Sequence, residues 1–391
     1  MAQHGGKALY ALLLLAFLLR LGWGIAQKST PESLAKLPDQ QEYLALGQNL
    51  LSHGALFFHD DRFNQDVYAF RTPGYPAFVA ACTANPLLIR IAQAIIDTSA
   101  VAAIYLLARI WLTPTAGLFA AALIAINPWF IYFSGLILSE TLFTACLVWS
   151  VLLLTTRKLG WAGCALLALS ALIRPSAIGL AVVLPLVALF LNRPARRAYH
   201  LPAAGVLFLI LALLPWAYRN HRVVGKWIWT TTNAGITLYD GFNPSATGAS
   251  DQTFVKTMPE LSTMTEVERN HYLSSLAWKY VENNSERLVP LTLKKLIRMW
   301  SPMPLSSQYS NPAYVAIGLL YTVPFFVLVL MGLIRPNVST ATKMLLIAPA
   351  VYFTVIHALS VGSLRYRIPA DAPMAVLAAA ALAKRDRTGL M

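Results

Sequence analysis

The sequence predicts an all-α polytopic membrane protein: one bundle of about ten transmembrane helices with two long extracytoplasmic loops that carry amphipathic helices. Two observations carry that class. Of 391 residues, 57% are hydrophobic and 12% charged, against ~25% charged in an ordinary soluble domain. The apolar residues also fall in runs of about twenty, the length that crosses a bilayer core as helix.

The spans fit at about 8–26, 87–110, 115–133, 136–156, 160–173, 176–192, 200–217, 313–334, 343–361 and 366–383. The stretch 8–25 has the apolar character of a signal peptide but no convincing cleavage site, and further spans follow it, so it reads as the first membrane helix. Arg174-Pro175 interrupts the fifth and sixth runs, which form a short pair with a break at membrane depth. Cys82, Cys146 and Cys164 lie in or beside apolar runs without metal-ligand spacing and read as small core residues.

Orientation follows from the cations. Lys7, Arg109, Arg157, Lys158, Arg193, Arg196, Arg197, Arg335, Lys343, Lys384, Arg385 and Arg387 fall on one side, which the positive-inside rule makes cytoplasmic, both termini included. The formal charge of +14 therefore belongs to short basic loops. Nucleic-acid binding would need a soluble basic face with interleaved aromatics, which is missing. Within the single domain 1–391, two long segments, 27–86 and 218–312, land on the outer side, and loops of that length point to function. The first holds an amphipathic stretch, 42–51, with Tyr43, Leu46, Leu50 and Leu51 at helical spacing. The second holds 288–300, where Lys294, Lys295 and Arg298 alternate with Leu and Ile as in an interfacial helix.

Ionisable residues at the margin of a membrane are costly and default to functional candidates. Asp39 and Glu42 open the first amphipathic stretch, three residues apart. They are either a general base in a partly desolvated cleft or an N-cap with a capping-box partner; spacing favours the cap and allows both. Arg71, in the turn Arg71-Thr72-Pro73-Gly74-Tyr75-Pro76, is either a phosphate clamp or a snorkelling arginine. Glu140, near the outer end of an apolar span, is either a second active-site carboxylate or a buried residue hydrogen-bonded to Ser139 or Thr141, and if buried it needs a partner. Arg365 and Arg367, outer-side cations that run against the positive-inside bias, call for an anionic ligand or lipid headgroups. Asp97 lies mid-span and packs against a polar neighbour such as Gln93. His53, His59, Asp60 and Asp61 read as solvated loop residues rather than a metal site. Trp227, Trp229 and Tyr239 are either interface aromatics or a surface for sugar or lipid.

Read in order, these strings resemble the GT-C superfamily of membrane glycosyltransferases. The likeness is to the bacterial branch related to protein O-mannosyltransferases and lipid A aminoarabinose transferases (family 39-like). The strings are Asp39 before Tyr43 and Asn49-Leu50-Leu51-Ser52-His53-Gly54; the Arg71 to Pro76 turn; Ser139-Glu140-Thr141-Leu142-Phe143; Arg174-Pro175; Pro215-Trp216-Ala217-Tyr218-Arg219-Asn220; Asn233-Ala234-Gly235 through Gly241-Phe242-Asn243-Pro244; and Arg365-Tyr366-Arg367-Ile368-Pro369. The resemblance implies transfer of a hexosyl or pentosyl group from a polyprenyl-phosphate donor, of the undecaprenyl type, to an acceptor hydroxyl with inversion. The setting it implies is a bacterial cytoplasmic membrane with the site facing the periplasm. It also implies Asp39 as base, Glu140 as a second acid, and donor-phosphate contacts from Arg71 with Tyr75, Arg365 and Arg367. Many relatives carry an adjacent Asp-Glu pair in the first loop. Here Gln40 follows Asp39, so the base is Asp39 or Glu42. No cofactor or bound metal is expected. The partners are the lipid-linked donor, membrane lipids and an acceptor that is a glycan, lipid or protein. Nothing resembles a large soluble acceptor module. A transporter or flippase, or a lipid-linked glycan polymerase or ligase, are the rival readings.

Overall fold

The structure, a computed structural model, describes residues 2–156, 158–191, 200–305 and 311–383. The basic residues Arg157, Arg193, Arg196, Arg197, Lys384, Arg385 and Arg387 lie outside the described residues. The helices run in the order α1 (Ala2–Ala26), α2 (Pro31–Ala35), α3 (Pro38–His53), α4 (Gly74–Ala81), α5 (Pro86–Trp111), α6 (Pro114–Ala125), α7 (Pro128–Ser134), α8 (Glu140–Leu154), α9 (Gly160–Ala171), α10 (Leu180–Ala188), α11 (His200–Val224), α12 (Ala234–Gly241), α13 (Glu266–Asn283), α14 (Ser285–Trp300), α15 (Pro312–Ile334), α16 (Thr340–Ala358) and α17 (Ile368–Leu382). A small antiparallel hairpin, β1 (Phe58–Asp60) with β2 (Gln65–Val67), lies between α3 and α4.

The protein is an all-α polytopic bundle. By length and composition α1, α5, α11, α15 and α16 can each cross a membrane, and α8, α9, α10 and α17 are shorter apolar helices. Every apolar run predicted from sequence is helical, with local differences. The run 115–133 is two helices, α6 and α7, bent by 53°. Pro128 withdraws a donor from the ladder, and Asn127 caps α7 by accepting from the backbone N–H of Trp129 and Phe130. The run 200–217 continues to Val224, beyond its apolar part. That extension lets Arg219 donate to the carbonyls of Leu56 and Tyr68 in the first loop, at 2.7 and 2.6 Å.

Helix α17 is the centre of the bundle, with every residue from Ile368 to Ala381 buried. Its alanines admit neighbours at short range. Gly332 of α15 lies so close to the Leu377 carbonyl that a Cβ would stand 1.9 Å from the oxygen.

A buried ion pair crosses the bundle. Asp97 does not rely on Gln93, as its position in sequence suggested. Its partner is Arg20 of α1, Nε to Oδ2 at 2.5 Å. The same guanidinium donates to the carbonyls of Ala125 and Ile124, filling acceptors that the break after α6 leaves open. Gln93 instead donates to Ser134 and Leu136 carbonyls and accepts from the Tyr75 hydroxyl. Asp97 is thus a bundle strut.

The two long segments fold against each other beside the bundle. Glu266, in the first turn of α13, accepts from the backbone N–H of Tyr68 and Ala69 and from the Thr232 hydroxyl. Thr232 N–H in turn donates to the Ala69 carbonyl. The predicted interfacial stretch is α14, and its outer face exposes Val289, Leu293 and Ile297 at four-residue spacing. The cations do not share one face, however. Lys294 is exposed, whereas Lys295 is fully buried, 3.5 Å above the Phe242 ring, donating to the Ala358 carbonyl.

Removing one partner of a buried ion pair leaves an uncompensated charge, at a cost of about 3–5 kcal/mol. Asp97→Ala is expected to lower the unfolding temperature in detergent strongly, and Asp97→Asn, which keeps an oxygen acceptor, less so. An Asp97→Ala protein as stable as wild type would contradict the strut.

Candidate active site

The site forms where the first loop, the break between α9 and α10, and the turn before α17 meet. Pro38 occupies the first position of α3, and Leu37 is the N-cap residue without a side-chain bond to the helix. Asp39 therefore sits inside the first turn, and its carboxylate is not spent on capping. This displaces the cap reading that spacing favoured. Gln40, next along, faces away, accepting from the Ile137 N–H at 3.0 Å.

Arg71 is delivered by the turn that follows the hairpin. Gly74 N–H donates to the Leu172 carbonyl at 2.7 Å, and a Cβ on Gly74 would stand 2.7 Å from that same oxygen. Only glycine permits the approach. The Thr72 hydroxyl bonds the next carbonyl, Ile173. Arg71 is in this way docked against the segment that carries Arg174. Arg365 projects from a single 3-10 turn, Leu364–Tyr366, whose start is capped by the Ser363 side chain. Glu140 opens α8 and is 1% exposed.

These groups form one network of carboxylates and guanidiniums. Asp39 bridges two arginines, Oδ1 to Arg71 Nη2 and Oδ2 to Arg365 Nη1, both at 2.7 Å. Arg71 also holds Glu42, with Nε to Oε2 at 2.8 Å and a shorter contact from Nη2. Arg365 Nε pairs with Glu140, and Arg174 Nη1 reaches the same Glu140 oxygen at 3.1 Å. Three acids are thus matched by three arginines. Arg174 lies against Phe143 and Tyr366, and its Nη1 makes no hydrogen bond. Glu140 Oε2 is likewise without a hydrogen-bond partner.

The network borders a cavity of about 390 Å³. Its lining includes Asp39, Tyr43, Arg71, Arg174, Arg365 and Tyr366. It also includes the neutral polar residues Thr230, Thr231, Asn233 and Thr237, with His357 and Ser360. Burial pushes the Asp39 carboxyl up, but the Arg71 and Arg365 charges outweigh it and hold Asp39 well below the usual carboxylate range. Burial disfavours the Arg71 charge, and Glu42 and Asp39 more than restore it.

Asp39, Glu42, Glu140, Arg71 and Arg365 are therefore brought together, as the sequence pointed. Tyr75 and Arg367 are not. Tyr75 is fully buried, donates to Gln93 Oε1 at 2.7 Å and supports the ring of Tyr43 edge-on. Arg367 is fully buried on the far side of its turn, paired with Asp371 at 3.3 Å and bonded to the Ser301 carbonyl. Trp227 stacks on His221 and Tyr239 packs on Phe254; neither lines the cavity. His59 pairs with Asp66 in the exposed hairpin. Among the described residues no three His, Cys, Asp or Glu side chains gather as metal ligands.

Sequence reasoning singled out Arg174 as a helix break and not as a site residue, although an arginine in an apolar pair is itself a signal. His357 was missed as well; it stacks flat on Tyr366 at 3.9 Å.

Bundle and cleft together define a polytopic helical membrane protein with an ionic cavity. The chain is similar in structure to the oligosaccharyltransferase AglB from the archaeon Archaeoglobus fulgidus in complex with an inhibitory peptide and a dolichol-phosphate, with TM-score 0.56 and 14% identity over 97% of this chain and 50% of that one. The A. fulgidus oligosaccharyltransferase tethered with an acceptor peptide aligns with TM-score 0.57 and 14% identity over 97% of this chain and 49% of that one. ArnT from Cupriavidus metallidurans, bound to undecaprenyl phosphate, aligns at TM-score 0.44 and 13% identity over 98% of this chain and 78% of that one. The chain spans about half the length of the oligosaccharyltransferases it matches, and at these identities the likeness is one of fold. No protein-family model and no curated protein matches the sequence.

A carboxylate whose pKa is depressed in the folded state contributes stability above its unfolded value and loses it as pH falls through the folded value. The stability difference between wild type and Asp39→Asn should hold steady from neutral pH down to the ordinary value of 3.8 and shrink only below it. Unfolding temperatures measured across that range check this; a difference already lost near pH 5 would contradict the clamp.

Proposed function

We propose that this chain is a glycosyltransferase that moves a sugar from a polyprenyl-phosphate donor, of the undecaprenyl type, to an acceptor hydroxyl. It acts on the outer side of a bacterial cytoplasmic membrane and needs no resident cofactor or metal. The observation that carries this reading is Asp39 held between Arg71 and Arg365 on the wall of the cavity. It places a proton acceptor beside guanidiniums that suit a phosphate. Support comes also from the fold shared with a protein seen with dolichol-phosphate.

The division of labour follows from the pairing. Glu42 is tied to Arg71 and lies near Arg62, and Glu140 is buried between Arg365 and Arg174. Neither lines the cavity, so both are positioning residues that hold the arginines. Asp39 does line it, and it is the base. Clamped by two arginines it binds a proton weakly. A donor phosphate offers anionic oxygens to the same guanidiniums, with Arg174 adding a further guanidinium on the cavity lining. As Arg71 and Arg365 turn to the phosphate, Asp39 is released and its proton affinity rises.

One Asp39 oxygen then takes the proton of the acceptor hydroxyl while that oxygen attacks the anomeric carbon. The bond from that carbon to the phosphate oxygen breaks, and its electron pair leaves with the polyprenyl phosphate. Attack and departure on opposite faces give inversion. The leaving phosphate needs charge stabilisation rather than a proton, and the arginines provide it.

Asp39→Asn is expected to lower transfer by about 10²–10⁴-fold, the usual worth of a positioned general base. Glu42→Gln should cost less, acting only through Arg71. Membranes carrying each variant, supplied with a panel of radiolabelled polyprenyl-phosphate sugars, measure this by label leaving the donor. Wild-type transfer rates in Asp39→Asn would sink the assignment.

A further inference from the structure

We infer that the sugar transferred at this site is uncharged, a neutral hexose or pentose rather than an amino sugar or a uronic acid, and that Asn233 accepts a hydrogen bond from one of its hydroxyls. This rests on the transferase reading of the same cavity.

The cavity lining has two unlike sets of polar groups. One is ionic, made by Asp39, Arg71, Arg174 and Arg365. The other, from the start of α12 and the stretch before it, carries Thr230, Thr231, Asn233 and Thr237, which are polar and neutral. Hydroxyl and amide side chains both donate and accept, which suits a ring of hydroxyls and offers no counter-charge.

An ammonium taken into such a site needs a carboxylate, since a buried charge without a partner is costly. Among the described residues that line the cavity, Asp39 is the single carboxylate. Both its oxygens are held by arginines until phosphate binds, and an ammonium that paired with it afterwards would occupy the base. A sugar carboxylate fails for the opposite reason. It would compete with the donor's own phosphate for the same guanidiniums, which the three acids already share.

Asn233 supplies the positive evidence. It stands at the N-cap position of α12, where an asparagine side chain normally accepts from the helix backbone. Here it makes no such bond. The Gly235 N–H is taken by Asn270 Oδ1 at 2.7 Å, because α13 packs directly on Gly235. Asn233 Oδ1 is left buried with no hydrogen-bond partner on a residue that lines the cavity. An amide oxygen in that position calls for a donor, and a sugar hydroxyl is one.

The test uses the full chain in proteoliposomes with synthetic polyprenyl-phosphate donors: a neutral hexose, a neutral pentose, an amino pentose and a uronic acid. Wild type should transfer from a neutral donor and leave the amino and uronic donors untouched. Asn233→Ala should lower kcat/KM for the neutral donor by about 10–100-fold, as loss of one buried hydrogen bond to substrate does. Asn233→Asp should raise the ratio of amino to neutral transfer at least about tenfold, by supplying the missing counter-charge. Transfer from the amino or uronic donor by wild type, at a rate matching the neutral ones, overturns the inference and leaves the transferase reading standing. If no donor of any charge is bound or consumed, both fall together.

Discussion

Charges placed against an apolar bundle must be compensated, and here much of the compensation runs through one carboxylate. Asp39 joins the first loop to the turn before α17 by accepting from Arg71 and Arg365, residues that are 32 and 326 positions away in sequence. Without it Arg71 would keep Glu42 and Arg365 would keep Glu140. The two halves of the site would no longer be tied to each other. The same link makes Asp39 a weak base while the arginines hold it, so the unliganded site is closed on itself. In the proposed reaction, binding of an anion and activation of the base become one event.

The scaffold is arranged to hold that link in register. Gly74 lets the first loop rest on the Leu172 carbonyl, and Glu266 fastens the same loop to the second long segment through Tyr68, Ala69 and Thr232. Arg20 closes the break after α6 from within the bundle, while Lys295 reaches from α14 to the Ala358 carbonyl near the turn that carries Arg365. Buried cations bound to carbonyls recur in this protein where a helix stops short, because unfilled acceptors at a helix end cannot turn to water there.

Much of this was legible in the sequence. Apolar runs marked the helices because the bilayer sets their length, and Asp39, Glu140, Arg71 and Arg365 stood out as charges beside such runs. What sequence does not carry is pairing across long separations. Asp97 drew attention but its partner Arg20 sat unnoticed in the first span. Arg365 and Arg367 looked equivalent, yet one 3-10 turn sends them to opposite sides, to Asp39 and to Asp371. The cap at Asp39 failed on a single residue of register, since Pro38 already occupies the first helical position. Lys295 read as a surface cation because alternation along a helix does not say which flank is covered. Asn233 stood in the sequence only as part of one string of the resemblance, because its place in the site depends on Asn270 having taken the backbone N–H it would otherwise bind.

The most direct measurement is the affinity of polyprenyl phosphate itself for wild type and for Asp39→Asn, by calorimetry or a labelled lipid in micelles. If Asp39 and phosphate compete for Arg71 and Arg365, removing the carboxylate charge should tighten binding, by about tenfold for each 1.4 kcal/mol of competition relieved. Weaker binding in Asp39→Asn, or none in either protein, would contradict the exchange on which the account rests.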